Sequence, residues 1–257
     1  GAVSVGSGTN ATGNESLALV SATASGEKSI AIGSEANATE ANAIALGTGS
    51  RAAGINSMAF GAGSSASKDN SFALGAGSIA NGTGSGAIGY LANAQGVNSL
   101  AIGVRACALD NNSLALGTQA VASGVDSVAI GSTSSATKTN ASAIGTNASA
   151  SGISSIAFGT NSSAAGNNSL AVGSQSTATG VDSVAIGSVS KALNYGSIAL
   201  GANASSTGTN AIAIGTNTSA SFNDSFLIGA GAIANGTASG AIGYLANTQG
   251  VDAMAVG

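Results

Sequence analysis

The chain has 257 residues, of which 40 are Gly and none is His, Pro or Trp. Only 6% are charged, with ten acids against six bases, whereas an ordinary domain is about a quarter charged. Without imidazole there is no Ser-His-Asp or Cys-His arrangement and no His metal ligand, and without a basic block a polyanion finds no footing. Richness in Gly, Ser and Asn suggests disorder, but here the apolar residues recur in strict rhythm, which disordered chains lack.

The first copies of that rhythm are Val3-Ser4-Val5-Gly6 and Leu17-Ala18-Leu19-Val20, with Val20 where a Gly is expected. The step from Val20 to Gly33 is one residue short, and from Gly33 to Gly257 a motif Gly returns at every fourteenth residue. These nineteen copies cover the chain, so no linker divides it and residues 1–257 read as one region of repeats. Residues 75–103 return at 229–257 and residues 111–132 at 167–188, both offsets being multiples of the repeat. A solenoid grows in this way, by copying whole coils.

Counted from the motif Gly, position −1 is bulky in every regular copy, and −3 is bulky except at Gly86, Ser142 and Gly240. Position −2 is Ala except at Leu227, and −4 is only Ser or Ala. This alternation predicts a β-strand with both faces restricted, one to large and one to small side chains. Position +3 is Ala, Ser or Thr and +5 is mostly Ala, while +4 is free (Asn37, Arg51, Ile79, Cys107, Lys191). A second strand with one restricted face is expected there. Between the strands, Gly at +7 (Gly54, Gly96, Gly152, Gly180) and Asn or Asp at +9 (Asn42, Asn98, Asp126, Asp182) are expected to take left-handed geometry or cap turns. Each unit is thus one coil of a parallel β-roll, and coils stacked at about 4.8 Å would build a rod roughly 90 Å long.

Two strands have four faces, and the interior of a coil uses two of them. Three are restricted, so one must be buried by something else. An interior of Ala and Ser makes the leftover face the bulky one; the converse, bulky inside and a flat Ala/Ser face outside, satisfies the same count, but the strictness of the Ala column favours the first. Each bulky side chain gains about 1.5–3 kcal/mol on burial, so an exposed stripe of them predicts a homo-oligomer. The expected seam comprises Ile30, Ile32, Ile44, Leu46, Leu100, Ile102, Leu114, Leu116, Val128, Ile130, Ile156, Phe158, Val184, Ile186, Ile198, Leu200, Ile212 and Ile214.

Ser-Val-Ala-Ile-Gly at 127–131 and 183–187, repeated at fourteen-residue spacing with Asn or Asp just before the Ser, resembles the YadA-like heads of trimeric autotransporter adhesins. The resemblance spans the chain. It implies an all-β, left-handed parallel β-roll, three chains packed about an axis through the Val/Ile face, and display on the bacterial outer membrane. The handedness is implied by the resemblance alone, since parallel crossovers are normally right-handed. Departures from the pattern are Val20, the short coil before Gly33, and Gly86 and Gly240 in a bulky column. No stalk heptads, neck, signal peptide or membrane segment is recognised, so a head fragment of a longer surface protein is expected, reaching the membrane only through an anchor outside it.

Three tyrosines are weak ligand candidates. Tyr90 and Tyr244 follow Gly86-Ala87-Ile88-Gly89 and its copy, and are expected to fill the space left by the missing bulky side chain. Tyr195 lies at a turn, as contact residue or ordinary loop aromatic. Cys107 stands beside Arg105, which could lower a thiol pKa, but without a second Cys or any His it reads as an incidental surface thiol. Asp126 and Asp182 read as turn caps rather than calcium ligands, and the Asn-x-Ser/Thr tripeptides follow from composition. No catalytic residue, metal or cofactor is expected. The functional expectation is attachment to host matrix (collagen-type proteins are a ligand class the resemblance implies), to cells, to other bacteria or to abiotic surfaces, by avidity. An ice-binding solenoid, which would want a regular Thr array, and a plain spacer are the alternatives, and an enzyme is the weakest.

Overall fold

The computed structural model describes residues 1–257. They form two compact units, Gly1–Ser132 and Thr133–Gly257. Each unit is an all-β stack in which a three-residue strand alternates with a two-residue strand, and there is no helix.

The fourteen-residue register appears directly as strand pairing. In the first unit the long strand Ile30–Ile32 pairs in parallel with Ile44–Leu46, and the short strand Asn37–Ala38 with Arg51–Ala52. In the second, Ile156–Phe158 pairs with Leu170–Val172 and Ser149–Ala150 with Ser163–Ala164. Each coil hands its backbone groups to the next: Ile44 N–H donates to Ser57 O at 2.9 Å, while Gly47 N–H donates back to Ile32 O at 2.9 Å. A chain with so few large side chains satisfies its peptide groups by this stacking.

The interior is Ala and Ser, as the column count expected, and the arrangement with bulky residues inside is not the one adopted. Ser29, Ala31, Ala36 and Ala38 of one coil are all at most 1% exposed, and Leu227 is the one large side chain fully buried. Buried hydroxyls are satisfied locally. Ser29 Oγ donates to Gly26 O at 2.7 Å and Ser50 Oγ to Gly47 O at 2.8 Å, each reaching three residues back to a turn carbonyl. This explains why Ser shares −4 and +3 with Ala: it fits the thin interior and caps the turn.

The turns depart from expectation in two ways. At +9 the left-handed geometry is present, with φ of 57° at Asn42 and 58° at Asp182. Gly at +7, however, does not supply it. Gly54 has no left-handed φ; a Cβ there would lie 2.1 Å from the Lys68 carbonyl carbon of the next coil, so close approach of backbones excludes a side chain. The motif Gly combines both demands, as at Gly47 with φ +129° and a Cβ 2.7 Å from Gly61 C. The second departure is a left-handed residue at +2 in the other turn, held by side chains as varied as Glu35, Leu91, Arg105 and Val189.

The short coil is absorbed in one turn. Leu17 pairs with Ile30 and Asn10 with Thr23, both thirteen residues apart, and the deletion is bridged by Val20 and Ser21 in consecutive left-handed conformations, φ 62° and 54°. Two such residues in a row are the geometry of a primed turn, which closes the gap without disturbing the strands.

Candidate functional site

The outward face of the long strands carries the expected seam. In the first unit Leu100, Leu114 and Val128 stand in one direct column, with Ile102, Leu116 and Ile130 in the next. Ile30, Ile32, Ile44 and Leu46 continue both columns toward the N-terminus. In the second unit Ile156, Leu170, Val184, Ile198 and Ile212 form one column, and Phe158, Val172, Ile186, Leu200 and Ile214 the other. Neighbours above and below half-cover each side chain, yet Ile156 remains 42% and Phe158 51% exposed. The structure brings all these residues onto one apolar face per unit.

The gaps in the column at Gly86 and Gly240 have an explanation the sequence reading missed. A Cβ on Gly86 would lie 2.2 Å from the Phe72 ring, and one on Gly240 would lie 2.4 Å from the Phe226 ring. The aromatic one coil earlier leans into the space. Tyr90 and Tyr244 therefore do not fill it. They stand exposed in the turn, 54% and 75%, and the residues after them, Leu91 and Leu245, lie across Gly77 and Gly231 of the preceding coil. Phe exactly one repeat before Gly was the available signal. Tyr195 is likewise exposed at a turn, its carbonyl accepting Asn210 N–H at 2.8 Å.

Polar side chains form short ladders along the turns. Asn42 Nδ2 donates to Asn56 Oδ1 at 3.0 Å, Asn112 to Asp126 at 2.9 Å and Asn168 to Asp182 at 3.0 Å. Asp126 and Asp182 thus act within the turn stack as expected. No group of three metal-ligating side chains is present. Cys107 faces outward on the short strand, its Sγ 3.6 Å from Arg105 O, and burial pushes the thiol pKa up rather than down. That is the wrong direction for a nucleophile. The outward column of the short strand mixes Asn37, Arg51, Ile79, Cys107 and Lys191 with hydroxyl residues, so no regular Thr array exists there.

The two turns of a coil differ in character. The turn at +7 to +9 carries every acid of the chain except Glu35, together with Lys28, Lys68 and Lys138: nine acids against three lysines, a formal −6, leaving +2 elsewhere. The same turn exposes aliphatics at +8 (Ile55, Val97, Ile153, Val181). The turn at +1 is mostly small, as at Thr48, Ala62, Thr146 and Ala202.

The family model for the YadA head domain repeat (2 copies) matches residues 24–50, 52–78, 80–106 and 111–134, then overlapping stretches from 136–162 to 206–232. Each full match spans two coils. Among solved structures, the collagen-binding domain of the Yersinia adhesin YadA is similar at 33% identity and TM-score 0.38, covering 52% of this chain and 67% of that one. Comparison with curated proteins finds no match.

Proposed function

The chain belongs to the YadA head domain repeat family, and on that premise we propose that residues 1–257 form the adhesive head of a bacterial surface adhesin, with three copies packed through their long-strand faces. The observation that carries this reading is the apolar face itself: two columns of Ile, Leu, Val and Phe per unit, outside an interior already filled by Ala and Ser. A second and third copy would remove that face from water. What remains outward is the short-strand face and the turns, repeated coil after coil, which suits many weak contacts made at once to a matrix protein or a cell surface. The head would be displayed on the outer membrane by segments beyond this region.

The test compares the wild-type chain with the double variant Ile156→Ser/Phe158→Ser, immobilised at equal mass, for capture of collagen, other matrix proteins and whole cells. Avidity from three chains predicts that at least one target binds the wild type about 10²-fold or more better than the variant. Equal binding by both overturns the avidity mechanism. Binding by neither overturns adhesion and leaves a spacer.

A further inference from the structure

The two turns of each coil are different surfaces, and this difference specifies how copies meet. Along the chain, the exposed aliphatic at +8 comes three residues before the first outward side chain of the next long strand: Val97 before Leu100, Ile153 before Ile156, Val181 before Val184. The apolar face therefore continues around one edge of the roll, the edge of the +7 to +9 turn. On the opposite edge, the +1 column is small and largely uncharged.

Resting on the oligomer reading above, we propose that the second copy of the chain sits edge to edge with the first, the +8 aliphatics of one copy packing against the small +1 column of the next. Charge decides between this and the alternatives. Two +7 to +9 edges placed together would set a formal −6 against −6, a like-charge juxtaposition that suppresses the pairing. Two +1 edges placed together would leave every +8 aliphatic in water. Pairing unlike edges avoids both. Such a contact is heterologous, and a heterologous contact is satisfied in every copy only when the copies close into a ring. The long-strand faces then point inward and the short strands outward. In this arrangement Tyr90 and Tyr244, the large residues of the +1 column, lie in the seam rather than free for ligand.

Cysteine cross-linking tests the pairing. In a Cys107→Ser background, Val97→Cys and Val104→Cys are made singly and together, and treated with a short bismaleimide; Ile153→Cys with Thr160→Cys repeats the test in the second unit. All four positions lie in turns, outside the strands and the packed interior. The expected result is a covalent trimer on denaturing gels from each double variant and no cross-linked species from any single variant. Covalent dimers from a single variant would show like edges meeting and overturn the proposal. A trimeric mass by light scattering without cross-linking in either double variant overturns the edge pairing but leaves the oligomer. A monomeric mass overturns the oligomer reading, and the pairing with it.

Discussion

Removing part of the outward apolar face should dissolve the oligomer while leaving each coil folded. Ile156 and Phe158 flank the buried Ala157 on one long strand, pointing away from the interior. Burying such a side chain completely is worth about 1.5–3 kcal/mol. With 42% and 51% of the two still exposed in the single chain, association recovers the matching share, roughly 2 kcal/mol per copy or about 6 kcal/mol in a ring of three. Ile156→Ser/Phe158→Ser would then lower the overall association constant about 10⁴-fold. Sedimentation equilibrium over a wide concentration range measures this shift, with circular dichroism checking that β content is kept. Ala157 and the backbone pairing to Leu170–Val172 are untouched by the exchange, so β content should persist. A variant whose association curve overlays the wild type would refute the assignment of this face to the seam. So would a wild-type chain that stays folded and monomeric at every concentration.

Two further outcomes follow from local geometry. Val20 holds φ 62°, a conformation that costs an L-residue about 1–2 kcal/mol and is worst for a β-branched one, so Val20→Asn should slow amide exchange in the flanking strands Leu17–Leu19 and Thr23–Ala24. Unchanged exchange there would contradict the strain. Gly86→Val should destabilise by about 1–3 kcal/mol through collision with the Phe72 ring, and Phe72→Val should restore much of the loss; additive melting shifts in the double variant would deny the contact.

The period, the parallel pairing and the small-residue interior were legible because each writes a composition into a column. Ala at −2 and Ser at −4 admit little else, as the interior confirms. The left-handed residue at +2 was not legible, because Glu35, Leu91, Arg105 and Val189 share no chemistry; the backbone of the stack imposes the conformation on whatever side chain is there. Gly54 was read for its conformational freedom when its reason is the neighbouring carbonyl, a contact fourteen residues away that no local turn rule contains. The roles of Phe72 and Phe226 were missed for a related reason. They matter to the coil after their own. At the candidate seam, the apolar columns were visible as a surplus of restricted faces, but the sorting of charge between the two turns emerges only when +7 to +9 are placed together on one edge.

The thin interior ties folding to assembly. Buried Ala removes little apolar surface from water, and each coil must order fourteen residues, with Gly losing the most freedom of any residue. Ser hydroxyls and inter-coil peptide bonds replace hydrogen bonds to water and contribute only modestly on balance. The largest apolar side chains of the coil stand on the outside, where a single chain half-covers them at best. Their full burial belongs to the assembled state, so association stabilises the roll by mass action, and its melting temperature should rise with protein concentration. A column of Ile and Leu facing outward is therefore part of the core of the assembly, and the Ala column behind it is what lets the strands that carry it lie flat and close.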